Sequence, residues 1–196
     1  MSTTSHERLI GFTRYPEPGR TKTRLIPAMG AEGAADLQRR MTERLLCGLD
    51  PLLQSTPFHI EIRFDGGNKT LMKQWLGSDY NYVSQGRGKL GQRMESALIS
   101  GFASGASSVV IVGTDIPGVT DDTIRGAFDA LKQTDVVFGP AVDGGYYLIG
   151  LQKKSVNQAL PNLLSDMPWG TQRVMDLSKK RAADLGLSMA MMPTLA

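Results

Sequence analysis

A run of four β-branched residues limits what this chain can fold into more than any other segment. Residues 109–112 have the sequence Val-Val-Ile-Val, the step Gly113-Thr114 leads to Asp115, and Pro117 and Gly118 follow. A short apolar run bounded by turn residues is typical of a strand that is buried in a parallel sheet. Because open α/β sheets bind ligands beyond the carboxyl ends of their strands, Asp115 is a candidate site residue.

The rest of the chain alternates between strand-like and helix-like segments. Helices are predicted over 31–53, 120–131, 156–164 and 172–185, and two more are predicted to end at residues 76 and 102. Strands are predicted over 8–13, 58–64, 82–83, 135–140, 146–151 and 187–192. This order predicts one α/β domain over residues 1–196, a three-layer α/β/α fold with a mostly parallel, Rossmann-like sheet. Residues 1–7 are predicted to be disordered. The apolar–polar alternation of 58–64 predicts a strand with one solvated face near a sheet edge.

Composition and charge exclude several classes of protein. A net charge of +3 suits an anionic ligand but is too small and dispersed to indicate nucleic-acid binding. No apolar run is long enough to span a bilayer, and the start of the chain does not resemble a secretory signal. Cys47 lies in an apolar helical stretch, which predicts a buried and inert thiol. One cysteine allows no disulfide within the chain, so a reducing cytoplasm is expected.

A second acid, Asp143, also follows an apolar run and precedes Gly144 and Gly145. Two carboxylates at strand ends, beside glycines that permit close backbone approach, predict a site for Mg²⁺ or Mn²⁺ shared with substrate phosphates. The pair Asp143-Gly144 is equally the strongest hairpin-turn dipeptide, so a plain β-turn is the alternative there. A turn cap is the corresponding alternative for Asp115.

A basic loop links the first strand to the first helix, where phosphates commonly bind in such folds. Its candidate binding residues are Arg14, Gly19, Arg20, Lys22 and Arg24. If the backbone is extended, Arg20, Lys22 and Arg24 point to one side and can neutralise phosphate together. The spacing is not that of a Walker loop, and a solvated basic loop is the alternative.

Two further motifs carry weaker predictions. The spacing from Gly86 to Gly91 matches a dinucleotide fingerprint literally. The preceding segment is too short and polar for a central strand, so a surface turn before a helix is favoured. Trp169 either lines an acceptor pocket or anchors a helix start at which Thr171 is the N-cap, and the anchor is favoured.

Taken in order, several of these segments resemble one family. They are PGRTKTRL (18–25), QGRGKLGQRM (85–94), GTDIP (113–117), GPAVDGGYYLIGL (139–151) and PWGT (168–171). They are similar to the bacterial rSAM/selenodomain-associated transferases, a group of glycosyltransferase-A-like (GT-A-like) proteins of the nucleotide-diphospho-sugar transferase type. The resemblance covers nearly the whole chain and implies a GT-A fold with Asp115 at the acidic metal position. Residues 22–25 are also similar to the phosphate-contacting loop of phospholactate guanylyltransferases.

The resulting prediction is a cytoplasmic, metal-dependent transferase with a nucleotide-sugar or other nucleotide-diphosphate donor and an unknown acceptor. Asp115 and Asp143 are expected to be catalytic through Mg²⁺ or Mn²⁺. Expected substrate-binding residues are Arg14, Gly19, Arg20, Lys22, Arg24, Gly144, Gly145 and Trp169. One alternative is a guanylyltransferase-like nucleotidyltransferase that joins an NTP to a phosphorylated substrate. Another is a non-catalytic nucleotide-binding module, which is favoured by Lys89 in place of a family acid and by the end of the sequence at Ala196, ahead of an acidic stretch.

Overall fold

The computed structural model describes residues 7–49, 51–52 and 59–196, and its centre is a seven-stranded sheet. The strand order is β3-β2-β1-β4-β6-β5-β7. Only β6 runs against its neighbours, β4 and β5; the other pairings in the described chain are parallel. The strands are β1 (Glu7–Arg14), β2 (His59–Asp65), β3 (Asn81–Ser84), β4 (Ser108–Gly113), β5 (Val136–Pro140), β6 (Tyr146–Gln152) and β7 (Met189–Met191).

Helices cover both faces of this sheet. They are α1 (Ile26–Gly48), α2 (Lys69–Leu76), α3 (Leu90–Ala103), α4 (Asp121–Leu131), α5 (Val156–Leu163) and α6 (Val174–Asp184). Glu7 already pairs with Ser108 in β1, within the segment predicted to be disordered, and residues 1–6 lie outside the described residues. The predicted start of the second strand at residue 58 and the predicted end of the first helix at residue 53 also lie outside the described residues.

Two apolar cores lie on opposite faces of the sheet. One contains buried side chains of α1, α2 and α4, such as Leu45, Met72 and Phe128. The other contains side chains of α3, α5 and α6, such as Leu98 and Leu160. Full burial of one such side chain contributes roughly 1.5–3 kcal/mol, so these two cores supply most of the stabilisation. The predicted three-layer α/β/α fold with a mostly parallel sheet is confirmed.

The polar face of β2 is buried, so the prediction of a solvated face was wrong. Glu61 and Arg63 are each only 4% exposed. Arg63 Nε donates to Glu61 Oε1 at 2.6 Å, and Arg8 pairs with the other Glu61 oxygen at 3.3 Å. Helix α3 packs beside this face, where Gly101 adjoins the Arg8 side chain. Ion pairing reduces the cost of burying these charges. The apolar–polar alternation of the sequence does not reveal such pairing.

The predicted burial of Cys47 was also wrong, because the thiol is exposed on α1. Its apolar neighbours Leu45, Leu46 and Leu49 face the core, and the helical period turns residue 47 outward. In the part of the chain that is described, no helix has both the length and the apolar character of a membrane span.

Candidate functional site

Two clefts meet at the carboxyl ends of the strands. The first, about 390 Å³, lies between the end of β4, the β5–β6 loop and the segment that precedes α6. The second, about 370 Å³, lies beside the ends of β1 and β2 and the start of α3. Phe12, Leu90 and Asp115 line both clefts. Each volume is in the range of small-molecule sites, and Asp115 stands at their junction.

Asp115 projects from a strand end that buried hydrogen bonds hold in place. The Thr114 amide donates to the Phe12 carbonyl at 3.1 Å. The Thr114 hydroxyl donates to the Thr13 hydroxyl at 3.0 Å and accepts from the Thr42 hydroxyl at 3.1 Å. These hydroxyls tie β4 to β1 and α1 directly beneath the site. The Asp115 side chain itself is 63% exposed, so its carboxylate is available to a ligand.

Lys22 is the basic residue that reaches this carboxylate. Its Nζ lies 3.3 Å from Asp115 Oδ1, and its side chain is only 16% exposed. Lys22 has a left-handed backbone (φ 47°), and a 3₁₀ turn, Thr23–Leu25, follows it. The loop therefore bends sharply at Lys22, and this bend directs the ammonium to the end of β4.

The prediction that Arg20, Lys22 and Arg24 share one side was wrong. It required an extended backbone, which the left-handed residue and the 3₁₀ turn interrupt. Arg20 is exposed and pairs with Glu17 at 3.6 Å. Arg24 is exposed, and Gly19 forms a turn at φ 79°. None of Gly19, Arg20, Lys22 and Arg24 lines either described cleft, and Lys22 reaches the site through its contact with Asp115.

Asp143 lies in the β5–β6 hairpin loop and lines the first cleft. Its Oδ1 accepts from the Gly145 amide at 2.9 Å, so the residue does form the expected turn. Gly144 has φ 83°, and a Cβ there would lie 2.3 Å from the Gln172 carbonyl oxygen. The Gly144 carbonyl accepts from the Met175 amide at 2.9 Å. Close packing against the start of α6 therefore requires this glycine.

Trp169 is both an anchor and a wall of the first cleft. It packs edge-to-face on Tyr146, with ring centroids 5.9 Å apart. Burial raises the pKa of Tyr146, and the Ser178 hydroxyl opposes this only in part. Thr171 is not the N-cap of α6: the helix begins at Val174 with Arg173 as its cap. The Thr171 hydroxyl instead donates to the Pro168 carbonyl at 2.8 Å.

The second cleft contains residues that sequence reasoning missed, beside the predicted Arg14. Asp65 Oδ2 accepts from Arg14 Nε at 3.1 Å and pairs with Arg93 at 3.3 Å. Burial acts to raise the pKa of Asp65, but the hydrogen bonds and charges of the two arginines outweigh it and lower the pKa. Gln85 also lines this cleft. The detectable signal was an acid at a strand end followed by two glycines, the pattern that singled out Asp143.

The loop from Gly86 to Gly91 is the surface turn that the sequence predicted. Strand β3 lies at the sheet edge, and α3 begins at Leu90. Gly88 lines the second cleft. The Gln85 side-chain amide donates to the carbonyls of Thr13 and Arg63, at 2.9 and 3.1 Å, which fixes the start of this loop between β1 and β2.

Comparison with known families decides where this chain belongs. Residues 48–171 match a model described as "Uncharacterized protein conserved in bacteria (DUF2064)". The chain belongs to the DUF2064 family. No curated protein matches it in sequence. Among solved structures, a protein from Desulfovibrio desulfuricans G20 named "putative nucleotide-diphospho-sugar transferase" is 32% identical, with a TM-score of 0.87. The match covers 97% of this chain and 80% of that one.

More distant structures share the fold of this DUF2064 chain. Glucosyl-3-phosphoglycerate synthase from Mycobacterium tuberculosis, in complex with Mn²⁺, UDP and glucosyl-3-phosphoglycerate, is 12% identical with a TM-score of 0.57. That match covers 98% of this chain and 72% of the synthase. CMP:2-keto-3-deoxy-manno-octonic acid synthetase, complexed with CTP, is 12% identical with a TM-score of 0.56, over 96% and 90% of the two chains. These likenesses establish the GT-A-like nucleotide-diphospho-sugar transferase fold.

The metal-coordinating side chains of the DUF2064 chain suit a divalent metal only if a bound substrate also coordinates the metal. Among the described residues, no three or more His, Cys, Asp or Glu side chains are grouped so as to hold a metal. Asp115 and Asp143 line the same cleft and offer carboxylate oxygens. Mg²⁺ is commonly bound by one or two carboxylates together with substrate phosphates, so these residues fit that mode.

Proposed function

We propose that the chain is a metal-dependent transferase that uses a nucleotide-sugar donor. The observation that carries this proposal is the position of Asp115, at the junction of the two clefts and 3.3 Å from the Lys22 ammonium. Donor and acceptor need neighbouring compartments that meet at the reacting bond. An acid and a cation at that meeting point suit a diphosphate bound with a divalent ion.

The residues take the following roles in this proposal. Asp115 would hold Mg²⁺ or Mn²⁺ together with the donor diphosphate, and Asp143 would assist from the hairpin loop. Lys22 binds phosphate oxygens directly, while Arg20 and Arg24 contribute charge from the exposed part of the loop. Arg14 belongs to the second cleft, Gly145 and Trp169 line the first, and Gly144 lets the hairpin loop pack against the backbone of Gln172. The bound metal would supply positive charge to the leaving diphosphate.

The transfer itself is a displacement at the donor sugar. An acceptor oxygen forms a bond to the anomeric carbon, and the bond from that carbon to the diphosphate breaks. The nucleoside diphosphate leaves with the electron pair, and the acceptor proton passes to solvent. Preorganised charge contributes most where negative charge develops, which is at the leaving oxygen beside Lys22. The proposal is supported by the fold that this chain shares with glucosyl-3-phosphoglycerate synthase, which was crystallised with Mn²⁺ and UDP.

Nucleotidyl transfer is the second candidate, because the same fold occurs in a synthetase complexed with CTP. In that reaction a substrate oxygen attacks the α-phosphorus of an NTP and pyrophosphate leaves. Incubation with nucleotide sugars, and separately with NTPs plus sugar phosphates, distinguishes the two reactions. Release of a nucleoside diphosphate supports glycosyl transfer, whereas release of pyrophosphate supports nucleotidyl transfer. Membership of the rSAM/selenodomain-associated group stays a prediction.

Binding is the first test. We expect UDP, GDP or CDP together with Mn²⁺ to raise the melting temperature by roughly 5 °C at saturating concentration. Asp115→Asn should remove most of the metal-dependent part of this shift. Asp122→Asn makes the same charge change on an exposed acid of α4 outside both clefts, and should behave as wild type. A nucleotide-induced rise in melting temperature that is the same without metal and in Asp115→Asn would identify a non-catalytic nucleotide-binding module.

A further inference from the structure

The first cleft has an apolar interior. Ile111 and Ile149 face it from β4 and β6, Met94 from α3 and Val174 from α6. These four side chains are at most 5% exposed, so they form the floor of the cleft. Trp169 forms part of its wall. Apolar surface from the sheet and from one of its two helix layers therefore converges on one cavity next to Asp115.

The polar groups that line this cleft are mostly committed to internal hydrogen bonds. The Thr114 hydroxyl is bonded to Thr13 and Thr42, and the Thr171 hydroxyl donates to the Pro168 carbonyl. The Tyr147 hydroxyl donates to the Pro193 carbonyl at 3.0 Å. The Gly145 amide donates to Asp143.

Two carboxylates remain as the charged groups of this cleft. Asp115 is mostly exposed, and one oxygen of Asp143 is engaged by the Gly145 amide. Both residues follow strand ends, whereas the apolar side chains lie within the sheet and under the helices. The cleft is therefore amphipathic, with acidic groups at the strand ends and an apolar interior.

This division of polarity restricts the ligand. A polyhydroxylated ring placed in the cleft would lose hydration from its hydroxyls without gaining partners from Ile111, Ile149 or Val174, which is unfavourable. A hydrocarbon ring would remove apolar surface from water on both sides, which is favourable. A single hydroxyl could still reach the carboxylates at the strand ends.

We infer that the acceptor is an amphipathic alcohol, with an alicyclic or aromatic ring seated in the first cleft and its hydroxyl directed to Asp115 and Asp143. That this ligand is an acceptor rests on the proposed transferase function. The cleft volume of about 390 Å³ is large enough for one ring with short substituents. Nucleotide binding is assigned to the second cleft and to Lys22, and the two ligands meet at Asp115, which lines both clefts.

A matched pair of small molecules tests the inference. Cyclohexanol and myo-inositol have the same six-membered carbon ring but one and six hydroxyls, respectively. We expect cyclohexanol to bind at least about tenfold more tightly in ligand-observed saturation-transfer NMR, since each hydroxyl that leaves water without gaining a hydrogen-bond partner costs free energy. Equal binding, or tighter binding of myo-inositol, would overturn the inference.

Variants locate the binding within the molecule. Ile116→Gln changes a partly buried residue that lines the first cleft but not the second, and it should weaken cyclohexanol binding several-fold. Ile99→Gln makes the same change on α3 at a side chain that is 51% exposed and lines neither cleft, and it should have no effect. Cyclohexanol binding that is the same in both variants contradicts the inference.

The same samples are assayed for the Mn²⁺-dependent stabilisation by nucleoside diphosphates. If nucleotide stabilises the protein but cyclohexanol does not bind, the acceptor inference is wrong and the proposed transferase function stands. If cyclohexanol binds at Ile116 but no nucleotide binds, the amphipathic cleft is supported and the nucleotide-dependent function fails.

Discussion

Lys22 stands beside Asp115 because its own backbone is left-handed. For a residue other than glycine this conformation costs roughly 1–2 kcal/mol, and it persists here where it directs an ammonium to an acid at 3.3 Å. The Asp115 side chain is 63% exposed, so the ion pair alone contributes little to stability. We therefore assign the contact to ligand binding.

The first prediction concerns competition at this carboxylate. If Asp115 binds the metal as proposed, the Lys22 ammonium and a divalent cation compete for its carboxylate in the absence of nucleotide. Lys22→Met should raise the affinity for Mn²⁺ alone by about two- to fivefold, because one solvent-exposed ion pair is worth at most about 1 kcal/mol. Electron paramagnetic resonance of free Mn²⁺ measures this affinity.

The same variant should bind nucleoside diphosphates more weakly, since the diphosphate loses a cation partner. Lys69→Met removes an exposed ammonium from α2 and provides the charge control. A Lys22→Met protein with unchanged Mn²⁺ affinity and unchanged nucleotide affinity would contradict the role assigned to this residue.

At the scale of elements, the β5–β6 hairpin loop and the start of α6 form one unit. Gly144→Ala should destabilise the protein by roughly 3 kcal/mol or more, because a left-handed alanine is strained and its Cβ would meet the Gln172 backbone at 2.3 Å. Urea denaturation measures the loss. Gly186→Ala has a similar backbone conformation (φ 67°) but open space around its Cβ, so its loss should be only about 1 kcal/mol. Equal losses would show that the contact with Gln172 is unimportant.

A second element-scale junction joins β5, β6 and β7 through Asp135. Its carboxylate accepts from the Ser155 hydroxyl at 2.6 Å, and from the Ser188 amide at 2.9 Å. Lys154 lies 3.1 Å away. These hydrogen bonds hold the pKa of Asp135 well below its ordinary value, and the bond from Ser155 has the largest effect. The ionised carboxylate therefore clamps the turn after β6 to the segment that leads into β7.

This shift predicts a specific loss of stability in acid. Because the pKa of Asp135 is lower in the folded state, its contribution is present above the unfolded pKa of about 3.9 and is lost as pH falls towards the folded value. Asp135→Asn should cost roughly 1–3 kcal/mol at pH 7, and the difference from wild type should shrink below about pH 4. Urea denaturation between pH 2 and 7, with exposed Asp79→Asn as control, tests this. A constant difference across that range would contradict it.

At the scale of the whole molecule, the sheet buries a group of ions on β1 and β2. Glu61 pairs with Arg63 and Arg8, and both members of the Glu61–Arg63 pair have side chains only 5% exposed. Removing one member of such a buried group leaves an uncompensated charge. Glu61→Gln should therefore lower the free energy of unfolding by about 3–5 kcal/mol.

A double variant separates this charge effect from a loss of packing. Glu61→Leu combined with Arg63→Met removes the closest pair together and leaves Arg8, whose side chain is 19% exposed and keeps access to water. Replacement of a buried pair by apolar side chains is often neutral. We expect the double variant to recover most of the stability lost in Glu61→Gln. Urea denaturation of both variants makes the comparison. A loss below about 1 kcal/mol in Glu61→Gln would indicate that water reaches these charges.

Sequence alone determined the order of the elements and the placement of the central strand. The run at 109–112, the helix-forming composition of α1, the N-cap Thr120 of α4, and the Asp143-Gly144 turn are encoded within a few consecutive residues. Local periodicity and turn chemistry therefore suffice to predict them. The position of Asp115 at the end of β4 follows from the same local signals.

Tertiary structure alone decided how these parts meet. The insertion of β6 between β4 and β5, the burial of Glu61, and the approach of Lys22 to Asp115 depend on residues far apart in the chain. The second cleft likewise joins Asp65 to Arg93 across two elements. No local period encodes such contacts, because packing and charge pairing are properties of the assembled sheet and helices.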